Sequence, residues 1–127
     1  MYTILLVEDS PLIQAHLHTA LSDIEHTKVV GVAACEQTAL RAIEAHNPEL
    51  TVLDLQLESG SGFGILKRLG ADTRPRPVTR VVVFSNHANN VIKHRCLALG
   101  AHAFFDKSFQ LDDLVQFVRQ QAHTKHP

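Results

Sequence analysis

Cysteine is scarce in this chain: Cys35 and Cys96 are the only two. A single pair cannot supply the dense disulfide framework of a small secreted domain, so both thiols are expected free, as packing residues in a reducing cytoplasm. No apolar run approaches the ~20 residues that a membrane-spanning helix needs. The first such run, residues 4–7, meets acid at Glu8, so no signal peptide is expected. An excess of one charge is missing as well. Twelve basic and 13 acidic residues leave a net charge of -1, and no global field favours nucleic acid or an anionic membrane. Internal repeats, low-complexity segments and an interdomain linker are absent too. So is a G-x-G-x-x-G after the first apolar run, which weighs against a bound nucleotide.

What is present fits one folded unit. A chain of 127 residues with 45% hydrophobic and 20% charged side chains has the composition of an ordinary globular domain. Residues 1–122 are expected to form it, with 123–127 as a polar, frayed tail. Five short apolar runs, rich in β-branched and aromatic residues, alternate with helical stretches. The first, Ile4-Leu5-Leu6-Val7, precedes Asp9-Ser10-Pro11, a capping side chain before a proline. Leu12, Ile13, Leu17, Ala20, Leu21 and Ile24 then recur at helical spacing. A second strand is expected over 28–34, at a sheet edge, and a helix over 36–46 with Ala39, Leu40 and Ile43 inward, stopped by Asn47-Pro48. Further helices are expected over 63–69, 88–99 and 111–121. Runs of this kind read as buried strands of a parallel sheet. Right-handed crossovers then place helices on both faces. The expected fold is α/β: a three-layer, doubly wound sheet of five parallel strands in the flavodoxin-like order 2-1-3-4-5.

Polar residues follow four of the runs directly: Glu8-Asp9, Asp54, Ser85 and Asp106-Lys107. In open parallel sheets, chemistry sits beyond the carboxyl ends of the strands. Three carboxylates, a hydroxyl and an ammonium are therefore expected to meet on one edge. Taken singly, each reads more simply: Asp9 as a helix cap, Ser85 as a turn residue, Lys107 as a surface lysine. Their order along the chain is the signal.

With Asp54-Leu55-Gln56-Leu57 and Gly62 added, those landmarks make the chain resemble a response-regulator receiver domain over essentially its full length. The resemblance implies that Asp54 is the phosphoacceptor, phosphorylated by a sensor histidine kinase or a histidine phosphotransfer protein, with Mg²⁺ (or Mn²⁺) required. Physical chemistry supports those roles. Two carboxylates ~4 Å apart repel by about 4 kcal/mol at an effective dielectric near 20. Clustering Glu8, Asp9 and Asp54 is costly unless a cation sits among them. A hard cation suits such oxygens, with Asp9, Asp54 and the Gln56 carbonyl as direct ligands and Glu8 acting through water. Lys107 would neutralise charge on the transferring group. Ser85 would offer its hydroxyl to a phosphate oxygen, and Phe104 would follow it inward as the second switch residue. Gln56 and His87 are expected to tune how long the phosphoryl group lasts.

Departures from the family pattern are visible. Ser108 follows Lys107 where proline is usual, so a trans bond is expected. Phe104 lacks the phenol of the commoner tyrosine. Asn86 is larger than usual and narrows access, and Asp106 points away from Lys107 by strand alternation. Nine histidines make no convincing zinc site: His16 and His18 face different sides of a helix, and His123 and His126 lie in the tail.

The function expected is a stand-alone, cytoplasmic receiver that switches the partner-binding face of its fourth helix, fifth strand and last helix, towards an output protein the sequence does not name. A phosphorylation-dependent dimer is compatible with this, and no direct nucleic-acid or membrane contact is expected. It is not an enzyme beyond assisting its own phosphorylation and dephosphorylation. The alternative is a receiver fragment of a longer regulator with a DNA-binding or enzymatic output domain. A phosphatase with Asp54 as nucleophile lacks a second acid for the leaving group. A degenerate receiver is disfavoured because every core site residue is retained.

Overall fold

Apolar strands need cover on both faces, and the chain supplies it in the simplest way. A computed structural model describes residues 1–75, 77–86 and 89–125. Its elements alternate: β1 (Tyr2–Val7), α1 (Pro11–Ser22), β2 (Thr27–Ala33), α2 (Glu36–His46), β3 (Leu50–Leu53), α3 (Gly62–Gly70), β4 (Arg80–Ser85), α4 (Asn90–Ala98), β5 (Ala103–Asp106) and α5 (Leu111–Lys125). The five strands form one parallel sheet in the order β2-β1-β3-β4-β5. This is the expected doubly wound topology, with β2 on an edge.

Alternation along each strand divides the core in two. Ile4, Leu6, Val52, Val82 and Phe84 turn to the face covered by α1 and α5, against Leu17, Leu21, Leu114 and Val118. Leu5, Val7, Leu53, Val81 and Val83 turn to the other, against Ala39 and Ile43 of α2, Ile65 and Leu66 of α3, and Cys96 of α4. Each fully buried Leu or Ile contributes about 1.5–3 kcal/mol relative to exposure, so the two clusters dominate stability. Among the described residues, no helix is long and apolar enough to cross a membrane.

Caps set the helix boundaries. The Ser10 hydroxyl accepts the Ile13 N–H ahead of Pro11, as the sequence suggests. Asn47 closes α2 in the left-handed region (φ 45°). The third helix starts at Gly62, one residue early, because Ser61 caps it by accepting the Gly64 N–H. The fourth starts at Asn90, after the expected 88, because Asn89 accepts the Ile92 N–H. β2 covers 27–33 rather than 28–34, with the Thr27 hydroxyl donating to the carbonyls of Leu21 and Ile24 at 2.7 Å each.

Two expectations need correction. Leu12 is 64% exposed and does not join the α1 stripe. At about 100° per residue it lies some 140° around the helix from Leu17. The tail expected from residue 123 is helical through Lys125. Ala122 is buried, the Thr124 hydroxyl donates to the Gln120 carbonyl, and the Lys125 ammonium pairs with Glu49. These contacts outweigh the polar composition that suggested fraying.

Candidate functional site

Strand pairing brings the polar residues together. Where β1 ends, the Glu8 N–H donates to the Ala33 carbonyl, and the Asp54 N–H donates to Val7 at 3.0 Å. Where β4 and β5 end, the Lys107 N–H donates to the Ser85 carbonyl at 3.1 Å. The carboxyl ends of β1, β3, β4 and β5 are therefore level, and their side chains share one edge.

Glu8, Asp9 and Asp54 each offer a carboxylate oxygen within 4.8 Å of the other two. Glu8 and Asp54 are 1% and 6% exposed, and Asp9 is half-buried. The Lys107 ammonium donates to Asp54 Oδ2 at 2.8 Å and, by a shorter contact, to Glu8 Oε1. The other Glu8 oxygen accepts the Ser10 N–H at 2.9 Å. Asp54 Oδ1 faces the Gln56 N–H at 3.4 Å. One ammonium is thus shared by two of the three clustered acids, and the local charge stays negative.

Burial pushes the Glu8 carboxyl above its ordinary pKa, and the bonds from Lys107 and Ser10 only partly offset it. Burial alone would lower Lys107, yet its hydrogen bonds to Asp54 and Glu8 hold it above the usual lysine value. The lysine therefore stays charged. An all-oxygen set with residual negative charge and a partly open Asp9 could hold a hard divalent cation.

Ser85 is fully buried. Phe104 is half-buried, with the Lys93 ammonium 5.8 Å from its ring centroid. Gln56 is exposed at the start of the β3–α3 loop. His87 lies outside the described residues. Asp106 does not divert Lys107: its carboxylate accepts the Ser108 N–H at 2.7 Å. The Ser108 hydroxyl donates to the Asn86 side-chain oxygen at 3.1 Å, so Asn86 is held toward the β5–α5 loop. The Lys107–Ser108 bond is trans, as expected.

Two neighbours were not legible in the sequence. Gln14 donates from its side chain to the Glu8 carbonyl at 2.6 Å. Glu36, at the start of α2, accepts the Ser61 N–H from the β3–α3 loop at 3.0 Å. Glu36 carries no local signal because it acts on a segment 25 residues away, and Gln14 reads as an ordinary polar residue of α1 although its partner is only six residues back.

Comparison with known proteins agrees with this geometry. The family model described as the response regulator receiver domain matches residues 4–119. The response regulator GacA of Pseudomonas aeruginosa is 28% identical over 120 residues, covering 94% of this chain and 55% of its own. The nitrate/nitrite response regulator NarL of Escherichia coli K12 is 30% identical over 123 residues, covering 94% and 54%. This chain thus spans about half the length of these curated relatives. The response regulator domain of Thermotoga maritima CheB superposes with a TM-score of 0.85 at 22% identity, covering 97% of each chain. The receiver domain of the putative NarL from Mycobacterium tuberculosis superposes at 0.84 with 28% identity, covering 96% of each.

Proposed function

This chain belongs to the response regulator receiver family, and on that premise we propose that Asp54 accepts a phosphoryl group from a phosphohistidine of a sensor kinase or phosphotransfer protein. The observation that carries the reading is the Lys107 ammonium held between Asp54 and Glu8, with Asp9 beside them. An ammonium so placed neutralises charge at the carboxylate that would become the acyl phosphate, where most phosphoryl-transfer catalysis lies.

In the proposed step, an Asp54 oxygen attacks phosphorus and the P–N bond breaks. The imidazole leaves with the bonding electrons and takes up a proton. Asp9, Asp54 and the Gln56 carbonyl would hold Mg²⁺ (or Mn²⁺) directly, with Glu8 acting through water. When bound, the cation would supply charge neutralisation on the phosphoryl oxygens. Lys107 then exchanges its bond with the Asp54 carboxylate for one with a phosphoryl oxygen. The Ser85 hydroxyl meets another, and Phe104 follows inward. Gln56 and His87 govern the hydrolysis of phospho-Asp54. With no phenol, the inward state of Phe104 rests on packing alone, so the two states lie closer in energy than with a tyrosine.

The switched face comprises α4, β5 and α5, and output passes to a separate partner protein. A second reading has the same switch acting on an attached DNA-binding or enzymatic domain. The observation favouring it is that the chain spans about half the length of GacA and NarL.

The decisive experiment is incubation with Mg²⁺ and acetyl phosphate, followed by mass measurement. The wild type is expected to gain one phosphate, and Asp54→Ala none. A wild type of unchanged mass would overturn the reading.

A further inference from the structure

We infer that Glu36 is a positioning residue for the cation site, holding the β3–α3 loop so that the Gln56 carbonyl faces the acids. The inference rests on the function proposed above.

The tip of the loop has little packing of its own. Gln56, Glu58, Ser59 and Gly60 are exposed, and Gly60 has a left-handed φ of 78°. Its shape is set from outside, by the junction of β2 and α2. The Glu58 N–H donates to the Ala34 carbonyl at 3.2 Å, and the Glu36 N–H donates to Ser59 at 3.0 Å. The Glu36 carboxylate closes the arrangement by accepting the Ser61 N–H at 3.0 Å.

Space has been left for that carboxylate. A Cβ at Gly60 would lie 2.5 Å from the Glu36 Cβ, and one at Gly64 would overlap the carboxylate itself. The acid also sits at the amino end of α3, where the helix dipole favours negative charge. From Ser61 the constraint passes straight to the site. Ser61 bridges Gln56, and the next N–H, that of Gly62, donates to the Leu55 carbonyl at 3.0 Å. Gly62 is pressed so closely on the Asp54 carbonyl that a Cβ would come within 2.5 Å. Freeing Ser61 therefore loosens the backbone that carries both the acceptor carboxylate and the Gln56 carbonyl.

The test measures binding of Mg²⁺ alone, by amide chemical shifts, without a phosphoryl donor and well below the melting temperature. Glu36→Ala is expected to weaken Mg²⁺ affinity about tenfold, the low end for loss of a partner behind the ligands. Glu36→Gln keeps an acceptor oxygen and is expected to bind like the wild type. Gly64→Ala evicts the carboxylate while giving the helix a better former, so it should match Glu36→Ala in affinity without loss of stability. The double variant Glu36→Ala with Gly64→Ala should be no weaker than either single one.

Wild-type affinity in Glu36→Ala or in Gly64→Ala overturns the inference. So does a Glu36→Gln as weak as Glu36→Ala, since charge rather than the hydrogen bond would then matter. A wild type that binds no Mg²⁺ overturns the proposed function and this inference together.

Discussion

Lys107 and Asp54, 53 residues apart in the chain, are joined by a 2.8 Å hydrogen bond in a site where the Asp54 side chain is 8% exposed. The same ammonium serves Glu8, so its removal leaves two buried acids facing each other. Lys107→Met is therefore expected to lower unfolding stability by about 3 kcal/mol at neutral pH without divalent cations, the cost of breaking a buried pair. Mg²⁺ should recover part of the loss by neutralising the same acids. Urea unfolding with and without Mg²⁺ checks both points, and an equal loss in the two conditions would argue against a shared site.

Gly62 and Gly70 open and close α3, and the same substitution should act oppositely at the two. At Gly62 a Cβ meets the Asp54 carbonyl at 2.5 Å and the Leu55 Cα at 2.9 Å, both unyielding backbone atoms. Gly62→Ala is expected to cost about 1–3 kcal/mol from overpacking and to slow phosphorylation. At Gly70 the nearest atom is 3.9 Å away. Gly70→Ala should be neutral or stabilise by about 0.4–1 kcal/mol through the unfolded chain. Denaturation midpoints of the pair decide it.

The Tyr2 hydroxyl is buried with no hydrogen-bond partner among the described residues. Leaving such a group unsatisfied costs about 1–3 kcal/mol, so Tyr2→Phe is expected to stabilise by roughly 1 kcal/mol. Burial also raises the Tyr2 pKa from 10.0 to about 12. The neutral phenol's contribution is therefore complete below the unfolded value and is lost as pH rises from 10 towards 12. Tyr2→Phe should lack that component, so its advantage over the wild type grows above pH 10. Urea midpoints on either side of that pH provide the check.

The two thiols should react at different rates. A hydrogen bond with the Thr38 hydroxyl, 3.2 Å away, lowers the Cys35 pKa, while burial raises that of Cys96. A thiol reagent at mildly alkaline pH is expected to label Cys35 rapidly in the folded protein and Cys96 only on unfolding. Thr38→Val should slow the fast phase and leave the slow one unchanged.

The alternation of apolar runs with helical stripes was enough to name the sheet and its parallel sense, and the missing G-x-G-x-x-G favoured the flavodoxin-like strand order over the dinucleotide-binding one. Glu8, Asp9, Asp54 and Lys107 were legible because each directly follows a run that had to be a strand. Local chemistry also marked Ser10-Pro11 and Asn47-Pro48 as helix ends. The two departures have different physical causes, one within its own helix and one across the molecule. Leu12 had apolar character but the wrong side of the helix. Residues 123–125 looked like loose tail until Glu49 supplied a charge partner across the molecule.

Sequence by itself determined which residues could carry chemistry and on which edge they would gather, because the carboxyl ends of parallel strands all lie on one edge. Only the tertiary structure decided that Lys107 divides itself between Glu8 and Asp54 and that Glu36 reaches the β3–α3 loop. Hydrogen bonds between remote segments depend on distances of a few tenths of an ångström. Periodicity in a chain carries no record of those.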